Sequence, residues 1–193
     1  MRVLVVFAHP LQDSLHGSLH REIVSTLRQA GHEVDDCDLY AEGFEPVLTP
    51  AARARYFDPE RNREGVEGYV ARLFAAEALV LCFPVWCFGP PAILKGFMDR
   101  VMIPGVSFAL GPDGRMHPNL RHIRKLVAVT SYGRPRLDAW WIGDPPRKLV
   151  TRYLRWFIAR GAPVRYLGLY DLHRSEARLR TFRDRVLAEM GRF

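Results

Sequence analysis

The sequence predicts an α/β domain in which a parallel sheet is covered by helices on both faces. Three observations carry that reading. Apolar runs of strand length alternate along the chain with segments whose apolar residues recur at helical spacing. Residues 78–83, Ala-Leu-Val-Leu-Cys-Phe, are continuously apolar, as a strand covered on both sides must be. The connections between most elements are short, which favours successive βαβ units over separate layers. With 193 residues, 48% of them hydrophobic, a single domain spanning residues 1–193 is expected.

Residues 2–8 read as the first strand. Residues 15–30 form an amphipathic helix through Leu15, Leu19, Ile23 and Leu27, ended by Gly31. Residues 33–39 give the second strand. Residues 40–65 are polar and contain proline, an excursion with room for short helices that reads as a lid or dimer segment. A helix over 66–76 precedes the buried third strand, where Pro84, lacking an N–H, is expected to end the ladder. Pro90 and Pro91 stand where a helix can begin, and Ile93, Leu94, Phe97 and Val101 repeat behind them. Residues 106–120 contain Gly111-Pro112-Asp113-Gly114, a turn signal that predicts a hairpin. Residues 126–130 are the fourth strand. A helix over 148–160 is expected to bury Leu149, Tyr153 and Phe157, with Gly161 and Pro163 closing it, and 164–170 form the fifth strand. Ser175 caps a last helix carrying Leu179, Phe182, Val186 and Met190.

Composition narrows the function classes. The 28 Lys and Arg against 21 Asp and Glu give a formal charge of +7, and nearly all the cations are Arg. That field favours anionic ligands such as nucleotide phosphates. The arginines are scattered rather than gathered into a stripe with interleaved aromatics, so nucleic acid is not the expected partner. Cys37, Cys82 and Cys87 form no CxxC pair and no metal-ligand cluster, and an odd count argues against a disulfide framework. No metal is expected. The apolar run at residues 3–8 is too short for a signal peptide, and no run reaches membrane-spanning length. A reduced, cytoplasmic protein is the expectation.

Three loops carry candidate chemistry. The first, His9-Pro10-Leu11-Gln12-Asp13-Ser14-Leu15-His16-Gly17-Ser18, leads directly into a helix, whose free N–H groups and dipole make an anion site. Ser14, Ser18 and His9 can add donors, although Asp13 or Ser14 as an ordinary helix cap fits equally well. The second, Pro84-Val85-Trp86-Cys87-Phe88, joins the buried strand to a helix at the carboxyl edge of the sheet, where open α/β folds bind ligands. There Trp86 and Phe88 either line a planar ligand or simply pack the turn, and Cys87 either touches the ligand or fills space. The third, Thr130-Ser131-Tyr132-Gly133, brings small polar groups and a glycine to the next strand end, which suits close backbone approach to a ligand as well as a plain turn. No GxGxxG is present, so a dinucleotide fingerprint of the Rossmann type is absent.

The run from Phe83 to Arg100, with these loops, resembles the flavodoxin-like NAD(P)H:quinone oxidoreductases over most of residues 1–130. The resemblance implies a flavodoxin-like three-layer sandwich with a five-stranded parallel sheet in the order 2-1-3-4-5 and a switch point between the first and third strands. It implies non-covalently bound FAD or FMN, with the phosphate held by His9, Ser14, Leu15, His16 and Ser18. Leu15-His16 departs from the Phe-Asn pair usual in the family. The resemblance further implies that the flavin ring lies along Pro84, Val85, Trp86, Cys87 and Phe88, and against Thr130, Ser131, Tyr132 and Gly133. Tyr132 replaces a family glycine and is expected to narrow the pocket. Phe108 corresponds to an aromatic of the acceptor pocket, often supplied by a dimer partner, while hairpin core fits it as well. The Tyr–His pair that assists hydride transfer in mammalian-type members is missing; its places fall near Asp138 and Asp144. Arg134, Arg136 or Trp141 could instead clamp a nucleotide or an acceptor, with surface ion pairing the ordinary role of each Arg.

The function so implied is hydride transfer from NAD(P)H to the flavin, then two electrons to a quinone or related acceptor in the same pocket by ping-pong kinetics, in a homodimer. An azo dye or nitroaromatic acceptor, a flavodoxin-type electron carrier and a regulatory subunit of a potassium-efflux system are the alternatives.

Overall fold

The computed structural model describes residues 1–193. From the amino terminus, β1 (Arg2–Phe7), α1 (Leu15–Gln29), β2 (Glu33–Asp38), α2 (Pro50–Ala54), α3 (Glu67–Ala75), β3 (Ala78–Pro84) and α4 (Ala92–Val101) follow one another. β4 (Phe108–Leu110) and β5 (Met116–Pro118) then form the expected antiparallel hairpin. After it come β6 (Lys125–Ser131), α5 (Arg136–Trp141), α6 (Pro145–Lys148), a π-helical stretch at Leu149–Leu154, the turn α7 (Arg155–Phe157), β7 (Val164–Leu169) and α8 (Glu176–Met190).

Five parallel strands stand in the order β2-β1-β3-β6-β7, the predicted 2-1-3-4-5 when the hairpin is left out of the count. Strand periodicity divides the core. Leu4, Val6, Leu79, Leu81, Leu126 and Ala128 point to the layer of α3, α4 and the π-helical stretch. Val3, Val5, Phe7, Val80, Val127 and Val129 point to the layer of α1 and α8. β3 lies in the middle with all seven residues buried, which is why its sequence lacks alternation. Its register, Phe7 beside Cys82 and Pro84 beside Ser131, brings the carboxyl ends of β1, β3 and β6 level at the switch point.

Pro84 ends the strand as expected. It is the last strand residue, and the next N–H, that of Val85, donates to the Ser131 carbonyl at 2.8 Å. Cys82 uses its carbonyl toward β1, accepting from Ala8, and Pro84 shares that side. β1 has stopped by then, so the missing N–H costs no bond.

The helix predicted over 148–160 starts earlier, at Pro145, and ends at Phe157. Its i→i+5 stretch inserts an extra residue per turn and rotates the buried face, so Val150, Leu154 and Phe157 go inward while Tyr153 is half exposed. α5, capped by Pro135, was not anticipated: six residues are too few to show a period. The excursion over 40–65 holds only α2, capped by the Thr49 hydroxyl. It is pinned to the body, since Asn62 Nδ2 donates to the Pro104 carbonyl at 2.8 Å and a Cβ at Gly96 of α4 would collide with Pro46.

Candidate functional site

The crevice at the switch point is built from all three predicted loops. A cavity of about 340 Å³ is lined by His9, Ser14, Leu15, His16, Pro84, Val85, Trp86, Ser131 and Gly133, with Leu172 and His173 closing it from the β7–α8 loop. The last two were not foreseen, because that loop carries no motif.

Local chemistry positions each wall. Ser14 is the N-cap of α1, its hydroxyl accepting from the Gly17 N–H at 3.1 Å and donating to the Leu11 carbonyl at 2.7 Å. Ser18 N–H bonds the Ser14 carbonyl, so the N–H groups of Leu15 and His16 are left without a protein acceptor and face the crevice end of the helix. A Cβ at Gly17 would collide with the Gln12 backbone, so glycine lets the loop fold back on the helix. His9 Nδ1 lies 3.0 Å from the Leu11 N–H and 3.1 Å from the Leu11 carbonyl, which turns Nε2 away from the loop backbone. Ser14 is therefore an ordinary helix cap, and the cap leaves the Leu15 and His16 N–H groups without a protein partner.

His16 is buried at 3% exposure, with Nε2 at 2.8 Å from Ser131 Oγ and Nδ1 at 3.5 Å from Cys82 Sγ. Burial, helped by the neighbouring His9, lowers its pKa to about 3, so the ring is neutral. Burial likewise pushes the Cys82 thiol well above its usual range. Ser18 sits one turn further into α1, half-buried and off the cavity wall.

The second loop is a tight turn. Trp86 N–H donates to the Gly89 carbonyl at 3.0 Å and Gly89 N–H returns to Trp86 at 2.8 Å, with Cys87 at φ 49° and Phe88 at φ 54° between them. Two successive left-handed residues that are not glycine make this the strained, type I′ form of turn. It leaves Trp86 42% exposed over the crevice, 5.7 Å from the His9 ring. Cys87 is neither filler nor wall but stands exposed at the tip. Phe88 turns to a neighbouring cavity of about 480 Å³, shared with Arg134, Leu137, Trp140 and Trp141 of the α5 region. Trp141, a predicted acceptor contact, is 82% exposed there. Arg134 makes an ordinary ion pair with Asp138 at 2.7 Å.

The third loop corrects two expectations. Tyr132 does not narrow the crevice, because strand alternation turns its side chain the opposite way from Ser131. It is buried at 1% exposure, stacks on Tyr170 at 4.3 Å, and donates to Asp144 Oδ1 at 2.6 Å beside the Tyr166 hydroxyl. Asp144 Oδ2 takes the Tyr170 hydroxyl at 2.8 Å and Arg147 Nε at 3.1 Å. Burial raises the pKa of all three tyrosines. Thr130 is fully buried with its hydroxyl unpartnered, so it supports the wall from behind. Phe108 is hairpin core within the chain, 8% exposed and packed on Phe157 at 6.4 Å.

A crevice at the switch point of a 2-1-3-4-5 sheet, with unpartnered helix N–H groups on one side and an exposed indole on the other, is the arrangement of a flavodoxin-type fold. The family model described as flavodoxin-like fold matches residues 1–157, and the chain belongs to that family. It is 32% identical over 171 residues to the uncharacterized NAD(P)H oxidoreductase YcaK of Escherichia coli K12, covering 88% of this chain and 80% of that protein. It is 33% identical over 123 residues to the ribosyldihydronicotinamide dehydrogenase [quinone] of Rattus norvegicus, but spans only about half of that longer protein, 53%. The structure of Smu.1420 from Streptococcus mutans UA159 superposes with a TM-score of 0.85 at 25% identity over the whole of both chains. An FMN-dependent NADH-azoreductase from Bacillus anthracis, solved in complex with FMN, shares the fold at a TM-score of 0.78 and 15% identity, over 99% of this chain and 98% of that one.

Proposed function

We propose that the chain is a flavin-dependent NAD(P)H oxidoreductase with a quinone-type acceptor. The observation that carries this reading is the juxtaposition, in one crevice, of the free N–H groups of Leu15 and His16 with the exposed Trp86 indole. A phosphate fits the first and an isoalloxazine ring the second. FMN or FAD, when bound, supplies hydride acceptance and two-electron donation. The chain supplies position and charge: His9 and the α1 terminus would hold the phosphate, Trp86 and Val85 would flank the ring, and Ser131 and Gly133 would offer polar contact at its edge. With His16 neutral, no protein acid or base is assigned to the transfer.

The names of the relatives support the nicotinamide donor and the quinone acceptor. One crevice serving both in turn implies ping-pong kinetics, with parallel double-reciprocal plots. We place the homodimer contact on α5, where Leu137, Trp140, Trp141 and Ile142 leave apolar surface exposed beside the crevice.

The test is the visible spectrum of the purified protein and of Trp86→Ala, followed by anaerobic NAD(P)H. Flavin bands that bleach on addition, with flavin held at least ~10-fold more weakly by Trp86→Ala, are expected from loss of a stacking ring. Colourless protein that cannot be reconstituted with FMN or FAD would remove the reading.

A further inference from the structure

Beside the crevice lies a second concavity that the proposed chemistry does not use. It has a volume of about 390 Å³ and runs along the open edge of β7, walled by Arg136, Arg147, Arg178, Arg185, Thr181 and Tyr170. Past Arg136 and Arg147 it continues into a cavity of about 360 Å³ that adds Lys148 and Arg152. Six cations thus face one groove.

Only Arg147 among them has a close carboxylate partner. Arg147 is the cation of the Asp144 cluster, and Arg178 has only a 3.9 Å approach to Asp171. Arg136, Arg185, Lys148 and Arg152 pair with no carboxylate. Asp144, the one acid on the wall, has both oxygens engaged, by Tyr132 on one side and by Tyr170 and Arg147 on the other.

The backbone adds a donor. Leu126 N–H bonds the Pro163 carbonyl and Tyr132 N–H the Leu169 carbonyl, so the odd-numbered residues of β7 face β6. The N–H of Gly168 therefore faces the open edge, inside the groove. Forked guanidinium groups with a free N–H match the several oxygens of a phosphate dianion, a geometry that surface solvation of single arginines does not need.

The groove is also within reach of the crevice. Gly133 lines one and Arg136 the other, and three residues of chain span at most about 11 Å. A dinucleotide whose nicotinamide enters the crevice can therefore lay its phosphate-bearing half here.

We propose that the groove lined by Arg136, Arg147, Arg178 and Arg185 binds a phosphomonoester, and that its source is the 2′-phosphate of NADPH, making this the site that selects NADPH over NADH. The proposal rests on the oxidoreductase reading above.

Calorimetric titration of the full-length protein with adenosine 2′,5′-bisphosphate, adenosine 5′-monophosphate and inorganic phosphate tests the chemistry apart from turnover. The bisphosphate is expected to bind at least ~10-fold tighter than the monophosphate, the scale of one or two charge-assisted bonds. Arg136→Gln combined with Arg185→Gln is expected to abolish that difference and to lower the NADPH-to-NADH ratio of kcat/KM by ~10-fold or more. Arg165→Gln, which removes one positive charge from an exposed position outside the groove, should leave the preference in place. Equal affinity for the two nucleotides, or inorganic phosphate binding as tightly as the bisphosphate, would overturn the NADPH assignment. No binding of any of the three would overturn the site itself. Flavin content is read in the same samples. Flavin-loaded protein without 2′-phosphate discrimination defeats this inference alone, whereas protein that takes up no flavin defeats the reading beneath it.

Discussion

His16 Nε2 and Ser131 Oγ lie 2.8 Å apart, tying the first turn of α1 to the end of β6 across the strand between them. The Cys82 thiol of that strand sits 3.5 Å from the other ring nitrogen, so the histidine touches three elements that meet at the crevice. If the thiol hydrogen points to Nδ1, the Nε2 proton goes to Ser131, whose own hydroxyl hydrogen is then free for a ligand. The His16 ring thus acts as a brace beneath the crevice.

The brace carries a pH signature. His16 is held at a pKa of about 3, against about 6.5 in an unfolded chain. The unfolded state therefore takes up a proton below about pH 6.5 that the native state refuses, and stability falls as pH falls, down to about pH 3. Between pH 7 and pH 5 the loss from this residue is expected to be about 2 kcal/mol. Urea unfolding of the wild type and of His16→Gln at both values checks it. The variant should lose about that much less than the wild type on acidification. Equal losses would show that His16 is protonated in the folded protein.

Asp144 is the hub behind the third wall of the crevice. Its carboxylate receives Tyr132, Tyr170 and Arg147, and its backbone is left-handed at φ 45°. Asp144→Ala leaves two hydroxyls and a guanidinium short of an acceptor and puts alanine in an unfavourable conformation. A loss of about 3 kcal/mol in urea unfolding is expected. Asp144→Asn keeps an acceptor oxygen and tolerates the left-handed region, so its cost should be about 1 kcal/mol. Similar costs for the two variants would mean that the carboxylate geometry matters less than the buried ring stack of Tyr132 on Tyr170.

The contrast between Asp144 and the loops it supports shows what one-dimensional reading can reach. The buried run of β3 and the polar loop before α1 declare themselves by residue type, since continuous apolar strands and capped helix starts have local causes. The walls formed by His9, Trp86 and Ser131 follow from where those strands end. Tyr132 lies away from the ligand contact that the resemblance implies, because alternation from Ser131 turns it inward. The π-helical stretch was invisible because its wider turn follows from tertiary packing, and the face of Val150 and Leu154 appears only once that turn exists. The Asp144 carboxylate meets Tyr132 and Tyr170, 12 positions before it and 26 after it, and that cluster has no local pattern at all.

The turn over the crevice yields the last prediction. Cys87 adopts φ 49° although its side chain is exposed and no hydrogen bond holds it there. What fixes it is the pair of backbone bonds between Trp86 and Gly89, together with Phe88 anchored against the α5 region. Glycine reaches that conformation without a Cβ clash worth about 1 kcal/mol, partly offset by the greater freedom of an unfolded glycine. Cys87→Gly should therefore stabilise the protein by about 0.5 kcal/mol and raise Tm by about 1–2 °C. The same change keeps the two backbone bonds that present Trp86, so flavin affinity is expected to stay within about twofold of the wild type. A calorimetric Tm and a flavin titration on the one variant separate the two effects. A lower Tm would show that the left-handed turn is relaxed in this chain, and a large fall in flavin affinity would show that the Cys87 side chain itself helps to present Trp86.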